Sequence, residues 1–197
     1  MENRNLIIGD SIFGCEGEIA CRCAELLLCR EPNRPIQFSI NAPVSLSLKA
    51  QLERLSSDVI GKKAFRIVMG FGLNELRRDG ASSANVIAAY ESLLREILKK
   101  TFSMLSLVTI PEDLWPDASD EICKLNDFML GFAREFHDRV NVYDFASHSR
   151  MFKEKQAERG KFARSLYDEN GKYTSLCITL FSLFLQECML KDFNNKE

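Results

Sequence analysis

The chain is predicted to fold as an α/β three-layer sandwich around a five-stranded parallel sheet of flavodoxin-like order 2-1-3-4-5. Three observations predict it. Five short apolar runs recur along the 197 residues, each fitting a strand buried on both faces. Amphipathic stretches separate them, the alternation expected of a parallel sheet with helices on both sides. Right-handed crossovers then restrict the strand order to a doubly wound arrangement.

The first strand, 6–9, is the run Leu6-Ile7-Ile8-Gly9, which stops abruptly at Asp10-Ser11. A helix is expected over 17–29, then a strand over 36–41 that ends in Ile40-Asn41. A helix over 46–57 leads to the third strand, 65–70, which carries Ile67-Val68-Met69-Gly70. Helices over 84–100 and 119–137 flank a fourth strand at 105–110, and the fifth strand is 140–143. A last helix runs over 174–190. The segment 144–172 reads as irregular, because it is rich in charge and too long for an ordinary connection. With no repeat, linker or low-complexity tract, residues 1–197 are expected to form one domain.

Composition excludes several classes. Apolar residues make up 46% and charged residues 27%, with a net charge of −2, which is ordinary for a globular protein and gives no bulk attraction to nucleic acid or membrane. The first apolar run is too short for a signal-peptide core, and no stretch has the length of a bilayer span. A cytoplasmic location is therefore expected, with neither nucleic acid nor membrane as partner and oligomerisation left open. Of the seven cysteines, Cys15, Cys21, Cys23 and Cys29 cluster, but helical periodicity scatters them around the axis, so they do not converge on a metal. Buried, reduced thiols are expected, and no metal or cofactor.

Two segments carry the candidate chemistry. Ser11 lies just past the end of the first strand, where open α/β sheets build their sites; the alternative is that Asp10 or Ser11 only caps the next helix. The segment Ile67-Val68-Met69-Gly70-Phe71-Gly72-Leu73-Asn74-Glu75 repeats the arrangement. In the predicted order these two strands are neighbours, so a hydroxyl and an amide would share one crevice. An Asn N–H aimed at a developing oxyanion is worth roughly 10²–10³ in rate; otherwise Asn74 is a turn asparagine.

With these blocks in this order, the chain resembles the SGNH hydrolases, the GDSL family of esterases and acyl hydrolases. Gly9-Asp10-Ser11 matches the block that bears that family's nucleophile. Gly72-Leu73-Asn74-Glu75 matches its Gly-x-Asn-Asp block, which places Asn74 at the oxyanion hole. Ile40-Asn41-Ala42-Pro43-Val44-Ser45 resembles the second block, and Leu125-Asn126-Asp127-Phe128 the helix before the fifth strand. The resemblance implies a serine ester hydrolase acting on a small acyl ester or related ligand. Ser11 would then be nucleophile, and its N–H, the Leu46 N–H and Asn74 would form the oxyanion hole.

Two departures bear on mechanism. Leu46 stands where the family has a glycine. The family's Asp-x-x-His block aligns with Asp168-Glu169-Asn170-Gly171, which keeps the acid as Asp168 and puts Gly171 at the histidine position. Removing the histidine of a serine triad costs roughly 10⁶ in turnover. Either the chain is a degenerate hydrolase or a catalytically inactive binding or scaffold protein, or another group supplies the base. Of the two histidines, His148 is expected at the C-terminal edge of the sheet and is the first candidate; Lys172 and a residue of a neighbouring chain are the others. Arg77 and Trp115 are expected to line the substrate pocket, Arg77 meeting an anionic group.

Overall fold

The computed structural model describes residues 4–78, 80–160, 164–168 and 171–194. Its centre is a parallel sheet of strands β1 (Arg4–Gly9), β2 (Gln37–Asn41), β3 (Arg66–Gly70), β4 (Met104–Val108) and β5 (Val140–Tyr143), in the order β2-β1-β3-β4-β5. The expected order and class are both met. Leu6, Ile7, Ile8, Ile67, Val68 and Met69 are fully buried, as strands covered on both faces read as nearly continuous apolar runs.

The helices are α1 (Glu18–Arg30), α2 (Leu48–Glu53), α3 (Leu55–Asp58), α4 (Leu73–Arg78), α5 (Ser83–Lys100), α6 (Ser119–Glu135), α7 (Phe145–Ala157) and α8 (Ser175–Asn194). Helix α1 packs on α8, while α5 packs on α2 and α6, giving the two outer layers. Ser47 and Ser82 start α2 and α5 by accepting the N–H groups of Ala50 and Asn85, as N-caps do.

Three expectations need correction. The helix foreseen over 46–57 is broken at Arg54, whose backbone (φ −99°, ψ 14°) leaves the helical region; the following Ser56-Ser57-Asp58 favour local side-chain bonds over helix. The segment after β5 is not irregular, since α7 begins there. Asp144 caps it by accepting the Ser147 N–H, and the buried face is Phe145, Ala146, Ser149 and Gln156. Two of those four are polar, so the helical period is weak when only apolar residues are counted. Finally, Cys23 and Cys177 are buried, but Cys15, Cys21 and Cys29 are exposed. The core-facing stripe of α1 is Ile19, Ala20, Cys23, Ala24 and Leu27, which leaves positions 21 and 29 outside it. All seven thiols are free.

The sheet positions the site through β1 and β3. Gly9 pairs with Gly70 at their C-terminal ends, and the short 3₁₀ turn Ser11–Phe13 folds back over both. A Cβ on Gly9 would overlap the Gly70 carbonyl and lie 2.5 Å from the Phe13 ring, and one on Gly70 would lie 2.5 Å from Ile12. Only glycines allow this close return.

Candidate active site

Asp10 organises the site. Its carboxylate is fully buried and accepts three backbone N–H groups: Ile12 at 2.9 Å, Gly72 at 2.9 Å and Asn74 at 3.1 Å. Its own N–H donates to the Gly70 carbonyl at 3.0 Å. One side chain therefore fixes the turn after β1 against the turn after β3. Burial raises its pKa to about 7, against the opposing pull of those hydrogen bonds.

Ser11 and Asn74 meet. The Ser11 hydroxyl donates to Asn74 Oδ1 at 2.7 Å. The Asn74 Nδ2 donates to the carbonyls of Val44 at 2.7 Å and Leu46 at 2.9 Å. Two carbonyl oxygens on one side require donors there, so the network fixes which end of the amide faces Ser11. That end is the oxygen. The expected geometry has an Asn74 N–H directed at an oxyanion; here both N–H groups are committed to the loop that carries Leu46. The Leu46 N–H is also committed, donating to the Pro43 carbonyl at 3.0 Å.

A cleft of about 310 Å³ opens over Ser11, with Glu18, Arg77, Asp168, Gly171, Lys172 and Tyr173 in its walls. It continues into a wider groove of about 810 Å³ that adds Trp115 and Tyr167. Arg77 lies over the Trp115 ring, 4.3 Å from its centroid, so the two expected pocket residues form one wall by cation–π contact.

His148 is elsewhere. It lies on α7 with its ring 4.8 Å from that of Phe184 and 6.3 Å from that of Phe145, and it is not among the residues lining either part of the cleft. Burial lowers its pKa, with Lys155 adding to the effect. A helix replaced the expected loop, and its phase turns position 148 toward α8.

The block before α8 is a hairpin. Tyr167 and Tyr173 pair as an antiparallel bridge. The Asp168 N–H donates to the Lys172 carbonyl at 2.9 Å, and the Gly171 N–H to the Asp168 carbonyl at 3.0 Å. The Asp168 carboxylate accepts the Lys172 N–H at 2.8 Å. Gly171 has φ +69°, the left-handed conformation that closes such hairpins. Glu169 and Asn170 lie outside the described residues, as does the side chain of Arg78.

Sequence reasoning missed Tyr173. It comes two residues after Gly171, and Thr174 caps α8 behind it by accepting the Cys177 N–H. Its hydroxyl is buried and has no hydrogen-bond partner among the described residues. Burial holds its pKa well above the usual tyrosine value, so it stays a donor. The available indication was position: the last residue before a helix cap at the C-terminal edge of the sheet faces the site.

No protein-family model and no curated protein matches the chain by sequence. Solved structures do match by fold. The acetyl xylan esterase AlAXEase superposes with a TM-score of 0.75 at 15% identity, covering 94% of this chain and 98% of that one. Axe2, an acetylxylan esterase from Geobacillus stearothermophilus, gives 0.72 at 16% identity, covering 97% and 95%. A GDSL-like lipase from Parabacteroides merdae gives 0.73 at 15%, covering 94% of each chain. The chain thus has the SGNH hydrolase fold over nearly its whole length, and similarity at this identity speaks for the fold alone.

Proposed function

We propose that the chain uses its SGNH fold to bind a small acyl-bearing ligand in the Ser11 cleft without hydrolysing it. The observation that carries this reading is the state of Asn74: both amide N–H groups are held by the Val44 and Leu46 carbonyls, and its oxygen holds the Ser11 proton. An amide oxygen is a neutral acceptor with almost no basicity, so it orients the hydroxyl without activating it. The cleft also has no imidazole in its walls. Losing a triad base costs roughly 10⁶ and losing one oxyanion donor a further 10²–10³, enough to remove the catalytic advantage.

Binding is well supplied. Ser11 keeps its lone pairs for a ligand hydroxyl or amide, and Trp115 offers a ring face braced by Arg77. Acetylated saccharides, the class named for two of the structural neighbours, are the first ligands to test. Trp115 is the one tryptophan in the chain, so its emission reports occupancy directly. Titration with acetylated xylo-oligosaccharides is expected to shift that emission, while p-nitrophenyl acetate turnover stays the same in wild type and Ser11→Ala. A rate that depends on Ser11 would overturn the non-catalytic reading.

A further inference from the structure

The opposite end of the sheet carries a feature that the cleft does not use. Two successive crossovers end in the same pattern, Lys62-Lys63-Ala64-Phe65 before β3 and Lys99-Lys100-Thr101-Phe102 before β4. Because β3 and β4 are neighbours, the two patterns meet at the N-terminal edge. There they surround an apolar cavity of about 340 Å³ lined by Val59, Ile60, Phe65 and Phe102, with Lys63 and Lys100 at its rim. Phe102 is 96% exposed.

That exposure is held by the backbone. The Arg139 guanidinium donates to the carbonyls of Leu98, Thr101 and Ser103 at 2.8, 2.8 and 2.9 Å. On the other side, the Ser103 hydroxyl donates to the Ala64 carbonyl at 2.7 Å, and the Met104 N–H to the Phe65 carbonyl at 2.8 Å. These bonds fix the backbone on both sides of Phe102. Lys63 adds a second cost: at φ +49° it is the one non-glycine residue with a left-handed backbone among the described residues, a conformation unfavourable for a long side chain. Strain of this kind persists where the surrounding structure imposes it, often at functional positions.

We infer that this edge docks on an anionic lipid surface, with Phe102 entering the acyl region and Lys62, Lys63, Lys99 and Lys100 meeting acidic headgroups. A fully projecting ring needs a medium that encloses it, and the lysines on both sides need negative charge in the same place. A lipid surface supplies both without a shaped pocket. An acidic protein would have to offer a phenyl-sized hole ringed by carboxylates. The net charge of −2 does not oppose this, because charges beyond about 8 Å are screened at physiological salt. Lys100 is also paired with Glu96 at 2.7 Å, so its share is the smallest of the four. The patch and the Ser11 cleft lie at opposite ends of the strands, and a docked molecule presents its cleft to solvent. The inference does not depend on what the cleft binds.

Sedimentation of the full chain with phosphatidylcholine vesicles, with and without phosphatidylglycerol, tests it. Partition is expected only with the anionic lipid, and it should fall steeply as salt is raised. Phe102→Ala should weaken it about tenfold and Lys63→Gln about fivefold, with the thermal midpoint of Phe102→Ala unchanged because that ring is outside the core. Equal partition to both vesicle types, or partition indifferent to Phe102→Ala, would overturn the inference. So would retention on a polyglutamate peptide without vesicle binding, which would assign the patch to an acidic protein instead.

Discussion

The turns after β1 and β3 are locked to each other through the core, whereas the hairpin before α8 is closed by bonds among its own residues. In the first region Asp10 alone accepts N–H groups from both turns, and Gly9 and Gly70 let the chain return at a distance no side chain permits. In the second, Asp168 bonds to Lys172 and Gly171 to Asp168, and a Cβ on Gly171 would make only ordinary contacts with Leu114 and Trp115. The comparison separates framework from chemistry. The framework that brings Ser11 beside Asn74 is kept by buried groups whose loss would unfold the site. The acid–base block sits on a hairpin closed by its own bonds, and there the chain departs from the family it resembles.

The largest effect should come from the locked region. Asp10→Ala leaves three buried N–H donors without acceptors, at about 1–3 kcal/mol each, partly offset by relief from burying a carboxylate. A net loss of about 3–5 kcal/mol is expected, read as a fall of about 10 °C in the melting temperature for a chain of this length. The group also sets a pH dependence. Its pKa is raised from 3.8 to about 7 on folding, so the native state binds more protons between those values. Its contribution to stability is complete below about pH 4 and is lost as the pH rises through 7. Asp10→Asn, which cannot titrate, should lose this slope in a melting series from pH 4 to pH 8; an unchanged slope would assign it to other groups.

The same division explains what could be read in advance. Parallel strands buried on both faces are continuous apolar runs ended by glycines, so β1 and β3 were legible, and their adjacency brought Ser11 and Asn74 together. Asn74's orientation was not legible. It depends on the carbonyls of Val44 and Leu46, contributed by a loop about thirty residues away, and the sequence does not encode which way a backbone carbonyl points. His148 was misplaced because α7 hides its period behind Ser149 and Gln156. Tyr173 was not legible because it lies beyond the block that ends at Gly171, and nothing in the sequence sets it above Lys172, which also lines the cleft.

That last point can be tested by restoring a base. In a serine triad the histidine is worth about 10⁶ and the acid about 10⁴, so a histidine without its acid should return about 10². Tyr173→His is expected to gain hydrolysis of p-nitrophenyl acetate by about that factor, and the gain should vanish when Ser11→Ala is added. Gly171→His, at the position the family resemblance implies, should stay at background, because the left-handed backbone at φ +69° disfavours a side chain there. The reverse outcome, activity from Gly171→His alone, would restore the aligned position as the place for the base.

The smallest effect sharpens the contrast between the two regions at a pair of glycines. A Cβ on Gly171 would lie 3.4 Å from the Leu114 carbonyl and 3.8 Å from the Trp115 ring, which is ordinary contact. Gly171→Ala therefore meets only the penalty of a left-handed backbone at φ +69°, about 1 kcal/mol. A melting temperature lower by about 2–4 °C is expected, with Trp115 emission unchanged. Gly9→Ala carries no backbone penalty of that kind but overlaps the Gly70 carbonyl, which is fixed in the sheet, and the fully buried Phe13 ring. It should destabilise by at least about 3 kcal/mol. If the two substitutions cost the same, the hairpin is held as firmly as the strand ends, and its freedom to lose the histidine needs another explanation.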